Sequence, residues 1–564
     1  MFELREKRAG FAGAVLAIFL LLLARICAFG FQYYQQLDDY IQYHNPFTLA
    51  ELWELQQTTG LLAFRPLAVI ADHTLWDKLS GQLIWAAGLI CLMYAFAAVL
   101  IWTILKRYFR LSPIFPVFMA LLPLGVEGTY WLSASTRVVV GTLLAALTAW
   151  SYLNWLDSGG IGRLALYLVL QILPFGFYEQ AGVLAITLTA GTALLEWGVK
   201  RRSWKRCAVA LWGLPAMGLF FVITGWLNIG SIYTGRSSVV LPVGEYYWKE
   251  FLPRVLGQFW DAFGRGGFYT LAKGFVRGGR MVLSGPLLLW AFVMVGLCVL
   301  LWRLTRGQSS ETGEGGLWLP LLSGVLLAAG PASVFLVLAN SWFSLRGTVT
   351  SFAGLALIAD TLLLWLGERL SLRREGAAVL AAVLAFVFCL AGASEIGDYR
   401  DTYRADQRIA GLVRDAFHRD GVEPDAGRVG ILNVEPSYLP NQNFYYHEHI
   451  HGCTESSWAF ASLLVNVSQA DVPAVVPLPS DPLYQDWNAA SNDPLSFDLL
   501  YCYDGDIVEQ VELQPGGAYS YYVRNAQGKL VGYLWDEEGI GYFRLADRMP
   551  EELAELFFTE KFSG

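Results

Sequence analysis

Only 16% of the 564 residues are charged, whereas 55% are hydrophobic and 15% aromatic. A soluble domain carries about a quarter charged residues, so this chain cannot cover its surface the way one does. Seven cysteines are too few to brace a disulfide scaffold. No internal repeat or low-complexity segment appears. The first apolar run lacks an A-x-A cleavage site, which excludes a signal peptide and leaves a retained first helix. The formal charge of -8 offers nothing to nucleic acid.

What the sequence does hold is long apolar runs, at roughly 10–31, 82–105, 113–131, 138–156, 164–178, 180–198, 207–227, 285–302, 317–339, 347–366 and 377–395. They predict a mainly α, polytopic helical membrane protein of about eleven spans. The runs between 113 and 198 are interrupted by Pro113, Pro116, Pro123 and Pro174. Irregular backbone at membrane depth persists only where protein or a water-filled cavity surrounds it, so a site is expected there. Basic clusters at 5–8, 106–110, 200–206, 302–306 and 368–375 fall on alternate connections. By the positive-inside rule they place the N-terminus in the cytoplasm and the tail outside it.

Two domains follow: a membrane domain over residues 1–396 with long outer loops at 32–81 and 228–284, and an extracytoplasmic α+β domain over 397–564. The second loop reads as helices lying in the membrane interface. In the tail, "DYRDTYRADQRIAGLVRDAFHRDG" predicts a helix, and "RVGILNV", "FDLLYCY" and "YSYYVRN" predict strands. Cys453 and Cys502 share this domain, and the sequence leaves their pairing open.

Charges at membrane depth need a partner or a function. Asp38, Asp39, Arg65, Glu127, Arg137, Glu179 and Arg346 all fall at outer helix ends or in the loops just beyond. Arginine matches phosphate oxygens with a planar fork of donors, and a carboxylate beside it can take a proton from a hydroxyl. Such a ring suits a phosphate held at headgroup depth. Arg25, within the first span, reads as an anchor that snorkels to the interface.

In order, "DDY", "FRPLAVIADHTLWDKLSG", "LPLGVEGTYWLSASTR" and "FYEQAG" resemble the successive motifs of the GT-C superfamily of polytopic glycosyltransferases. The similarity is greatest to the protein O-mannosyltransferase-like branch, including transmembrane and tetratricopeptide-containing O-mannosyltransferases. The family's acidic pair falls on Asp38 and Asp39, and its Y/F-R-P-L segment on Arg65 and Pro66. Its P-x-x-x-E-x-x-x-W-x-S-x-x-x-R stretch falls on Pro123, Glu127, Trp131, Ser133 and Arg137. Its K-E-Q-x-G stretch falls on Glu179, Gln180 and Gly182, and a later segment on Arg346 and Gly354. Tyr178 stands where the family has lysine, so that position supplies no cation.

The resemblance implies an inverting transfer of a sugar from a polyprenyl-phosphate-linked monosaccharide to an acceptor hydroxyl, on protein or envelope glycan, at the outer face of the membrane. Asp38 or Asp39 would be the catalytic base, with Asp38 favoured. Arg65, Glu127, Trp131, Arg137, Glu179 and Arg346 would bind substrate. The partners would be membrane lipid, the lipid-linked donor and the acceptor. No cofactor is required, because a phosphate monoester is already a competent leaving group, and a divalent metal stays an open question. His447, His449 and His451 alternate as three imidazoles on one face of a strand would, which makes them the weak metal candidates. A transporter or flippase, a polymerase or ligase of lipid-linked glycans, and a non-catalytic scaffold are the rival readings.

Overall fold

The computed structural model describes residues 2–43, 48–63, 65–227, 238–306, 316–339, 342–370, 375–434, 452–479, 493–517, 520–537 and 540–558. The chain divides into two compact units, residues 1–33 with 45–397 and residues 34–44 with 398–564.

The first unit is helical. Among the described residues, eight helices are long and apolar enough to cross a membrane: Leu83–Leu105, Leu132–Ser158, Glu179–Gly198, Trp204–Leu227, Leu288–Thr305, Trp318–Leu336, Leu345–Arg369 and Gly376–Asp420. Shorter apolar helices, Gly10–Ile26, Ile114–Tyr130 and Ile161–Phe177, account for the other predicted runs. The prolines explain two of these. Helix Ile114–Leu121 stops before Pro123, which heads a short turn, and Pro174 sits in the one-turn helix Leu173–Phe177. The first helix and Leu288–Thr305 run antiparallel. Trp290 donates to the Ala24 carbonyl at 2.7 Å, while Gly13 faces Leu304.

Residues 244–283 form consecutive helical segments, three of them π-helical: Tyr247–Phe251, Trp260–Gly266 and Tyr269–Lys273. The inward residues explain this. Tyr247, Phe251 and Val255, then Ala262, Gly266, Thr270, Gly274 and Gly278, recur at four-residue spacing. A four-residue stripe drifts round a helix of 3.6 residues per turn, and π turns hold it on one face. Glycine is required at 278, where a Cβ would come within 2.5 Å of the Leu390 carbonyl oxygen.

The second unit holds a seven-stranded sheet in the order β2-β1-β3-β4-β5-β6-β7. Its strands are β1 (Arg428–Leu432), β2 (Ala474–Leu478), β3 (Leu499–Tyr503), β4 (Val508–Gly517), β5 (Ser520–Asn525), β6 (Leu530–Glu537) and β7 (Ile540–Leu545). The first three are parallel, with helix Ser457–Ser468 on the crossover between β1 and β2, and the last four form an antiparallel meander. Strand alternation sorts the core. Val511, Val523, Leu534 and Phe543 pack on one face, and Tyr522, Tyr533, Trp535 and Phe558 in a second cluster. The predicted polar helix is not separate from the last apolar run: Glu375–Asp420 is one helix of 46 residues.

Cys453 and Cys502 are both free thiols and both buried. His447, His449 and His451 lie outside the described residues.

Candidate functional site

Breaks in the helices of the first unit position its polar side chains. Arg65 caps helix Pro66–Ala71, whose first residue is a proline that has no N–H to satisfy. Glu127 lies on the five-residue helix Val126–Tyr130. Trp131, in extended conformation (φ -60°, ψ 112°), separates that turn from helix Leu132–Ser158. Tyr178 is likewise extended (φ -159°, ψ 131°) and leaves Glu179 in the first turn of Glu179–Gly198, where the helix dipole favours a carboxylate. Arg346 lies on the single turn Leu345–Thr348.

These turns touch at backbone distance. A Cβ on Gly128 would come within 2.9 Å of the Arg346 carbonyl oxygen, so only glycine lets the turns bearing Glu127 and Arg346 meet. Gln180 donates to the Gly347 carbonyl at 3.3 Å and ties the same turn to helix Glu179–Gly198. The Tyr33 hydroxyl accepts the Leu132 N–H at 2.8 Å and fixes the break after Trp131.

Five of the residues singled out in the sequence gather here. Arg65 Nε lies 3.3 Å from Glu179 Oε2, and its guanidinium covers the Tyr178 ring at 4.6 Å. Arg346 covers the Trp131 ring at 5.4 Å. Tyr178 is buried, and Arg65, Arg346, Glu179 and Glu127 all lie within electrostatic reach of its phenol. Glu127 and Trp131 are buried, whereas Arg65, Glu179 and Arg346 keep partial exposure. The negative face of an aromatic ring attracts a guanidinium placed over it, and a guanidinium matches an oxyanion with a planar fork of N–H donors.

Arg137, one helical turn past Ser133, donates to the Ser133 carbonyl. Its Nη1 also lies 3.0 Å from Asp72 Oδ2. Asp72 is 1% exposed and sits in the π turn Asp72–Trp76 that follows Pro66–Ala71. The sequence reading passed it over, although a carboxylate inside "PLAVIADHTLW" was the signal.

Arg25 does not snorkel. It is 1% exposed and donates to the Leu121 carbonyl at 3.4 Å and to Thr129 Oγ1 at 3.2 Å, so it braces both sides of the Pro123 break that carries Glu127. A cation at the last turn of one helix, reaching the end carbonyls of another, is favoured by both dipoles.

Asp38 and Asp39 belong to the second unit. They open the short helix Asp38–Gln42 behind Leu37, whose φ of 39° and ψ of -109° are strained for a branched side chain. Asp39 is fully buried and accepts the Gln36 N–H at 3.0 Å, while Asp38 is half-buried. Gln36 donates to the Tyr399 carbonyl at 3.0 Å, and Gln407 to the Tyr40 hydroxyl at 3.2 Å, which seat this segment on the polar half of helix Glu375–Asp420. Nearby, the Asp406 carboxylate accepts the Cys453 N–H at 3.1 Å. Burial, and next the Asp406 charge, push the Cys453 thiol well above its ordinary range. Among the described residues, no three His, Cys, Asp or Glu side chains converge as metal ligands would.

No family model and no curated protein matches the chain. Among solved structures it is similar to the crystal structure of ArnT from Cupriavidus metallidurans bound to undecaprenyl phosphate. The identity is 13% and the TM-score 0.34, over 81% of this chain and 89% of that one. A likeness this remote carries no argument, so the functional reading rests on the residues themselves.

Proposed function

We propose that the protein is a membrane glycosyltransferase of the GT-C type, which moves a sugar from a polyprenyl-phosphate monosaccharide to an acceptor hydroxyl on protein or envelope glycan. The gathering of Arg65, Glu127, Trp131, Glu179 and Arg346 around Tyr178 carries this reading. Arg346 and Arg137 bind the phosphate and stabilise the charge it gains as the glycosidic bond breaks. Arg65 over the Tyr178 ring supplies the cation that the family's lysine would have brought.

In the reaction, the acceptor oxygen bonds to the anomeric carbon, the bond from that carbon to the phosphate oxygen breaks, and polyprenyl phosphate leaves with the electron pair. The acceptor's proton passes to a carboxylate. By the sequence resemblance that role falls to Asp38 or Asp39, with Asp38 favoured; Asp39 is fully buried and accepts the Gln36 N–H. Glu127 orients the bound sugar. Inversion follows from a single displacement.

Glycan profiling of the host's surface and exported proteins tests the reading, comparing wild type, Asp38→Asn, Asp39→Asn and a deletion. A sugar lost in the deletion and in Asp38→Asn, with the variant present in the membrane, is expected and identifies the product. An unchanged profile in all strains sinks the proposal and favours a transporter or scaffold.

A further inference from the structure

Three spanning helices end on a tryptophan followed four residues later by a cation over its ring. Lys106 covers Trp102 at 4.2 Å, Arg306 covers Trp302 at 5.5 Å, and Arg369 covers Trp365 at 5.4 Å. Trp102 is buried, whereas Trp302 and Trp365 face outward in part. A tryptophan at the membrane interface that holds a cation at headgroup level is a ready contact for lipid phosphate.

Trp302 adjoins a cleft. Val295, Cys298, Val299 and Trp302 of helix Leu288–Thr305 face Val379, Ala382, Val383 and Phe386 across an open space of about 350 Å³ lined almost wholly by apolar atoms. Its four valines are each 43–53% exposed, so this face is bare. Its mouth is positive: Arg306 over Trp302 and Arg303 beside it are both exposed. The antiparallel packing of this helix on the first one puts Trp302 at the Gly13 end, away from Ala24 and the neighbouring Arg25, which reaches the turn bearing Glu127. The cleft is therefore distinct from the proposed sugar-transfer residues.

We propose that an anionic phospholipid occupies this cleft, with an acyl chain between the two valine-bearing helices and its phosphate at Arg306. The apolar walls accept any chain, and the arginine selects the charge. One basic residue near a membrane surface favours an anionic headgroup by roughly fivefold.

The test is native mass spectrometry of the full chain, purified in detergent and titrated with phosphatidylglycerol, phosphatidylcholine or undecaprenyl phosphate, together with melting curves. Wild type should retain phosphatidylglycerol about fivefold more tightly than phosphatidylcholine and melt higher with it. Ala382→Trp, which fills the cleft, should lose both lipids. Arg306→Gln, a change at an exposed position, should keep the fold and erase the preference. Equal retention of the two phospholipids by wild type overturns the proposal, as does a preference that survives Arg306→Gln. Displacement of phosphatidylglycerol by undecaprenyl phosphate would reassign the cleft to an isoprenoid, and a dimer lost in Ala382→Trp would reassign it to a second copy.

Discussion

Two clusters of arginine and carboxylate in the first unit handle the same charges in opposite ways. Arg107, at the end of helix Leu83–Leu105, lies 2.6 Å from Asp157 and 2.9 Å from Glu196. Arg202 lies 2.6 Å from Glu196 and also pairs with Asp157. The Tyr108 hydroxyl donates to Glu196 at 2.7 Å. Here each acid meets two guanidiniums and each guanidinium two acids, so the charge is consumed in holding helix ends together. Around Tyr178, Arg65 lies 3.3 Å from Glu179 and 4.6 Å from the centre of the Tyr178 ring, and Arg346 lies 5.4 Å from the centre of the Trp131 ring. Doubly paired charges hold helix ends together, whereas under the proposed function the cations over aromatic rings meet the phosphate. Under the proposed function, the same inventory of residue types serves stability in one cluster and recognition in the other.

Substitutions in both clusters sharpen that contrast. Arg346→Ala should cut turnover of a polyprenyl-phosphate sugar in membranes by about a hundred- to a thousand-fold, the usual loss when one stabilising donor is removed, with its melting temperature nearly unchanged. Glu196→Gln should do the reverse: a stability loss of about 3 kcal/mol by denaturant titration and normal turnover per folded molecule. That figure sits at the low end for a broken buried pair, because Arg107 and Arg202 stay about 30% exposed and regain water. If Arg346→Ala unfolds the chain and Glu196→Gln abolishes turnover, the contrast is wrong.

Asp72→Asn should have a smaller effect, about a tenfold rise in KM for the lipid-linked donor from the loss of one charge-assisted contact to Arg137, with Asp72→Glu recovering part of it. A kcat change with constant KM would take Asp72 out of the binding step.

The smallest effect concerns Cys453. An unfolded thiol ionises near pH 8.5, while the folded one is held protonated well above that by burial and by Asp406. Its contribution to stability is whole below about pH 8.5 and declines as the pH rises beyond it. Maleimide labelling of the native chain at pH 8 should spare Cys453, and the second unit should melt earlier at pH 10 than at pH 7.

Much of this was legible in the sequence because membrane burial writes long, unambiguous runs. All eleven predicted apolar runs are helices, and the proline-rich stretch between 113 and 178 is where the backbone breaks around Glu127 and Tyr178. Arg25 misled because a charge near a helix end looks the same whether it reaches headgroups or a neighbour's carbonyl oxygens, and only the Pro123 break decides between them. Asp72 was hidden because its partner lies 65 positions away on another helix. The attachment of residues 34–44 to the second unit depends on Gln36 and Gln407, whose long-range hydrogen bonds leave no periodic trace.

The four-residue stripe of the 244–283 segment depends on its wide turns. Each π turn absorbs an extra residue, so if a turn of Trp260–Gly266 relaxed to an α turn with every residue retained, Thr270, Gly274 and Gly278 would rotate about 100° off their shared face. Bulkier neighbours would then meet the Leu390 and Ala391 backbone that now lies against glycine. The wide turns therefore set the packing as strictly as composition does, and a one-residue deletion inside Trp260–Gly266 should be tolerated better than one in the α-helical turns that flank it.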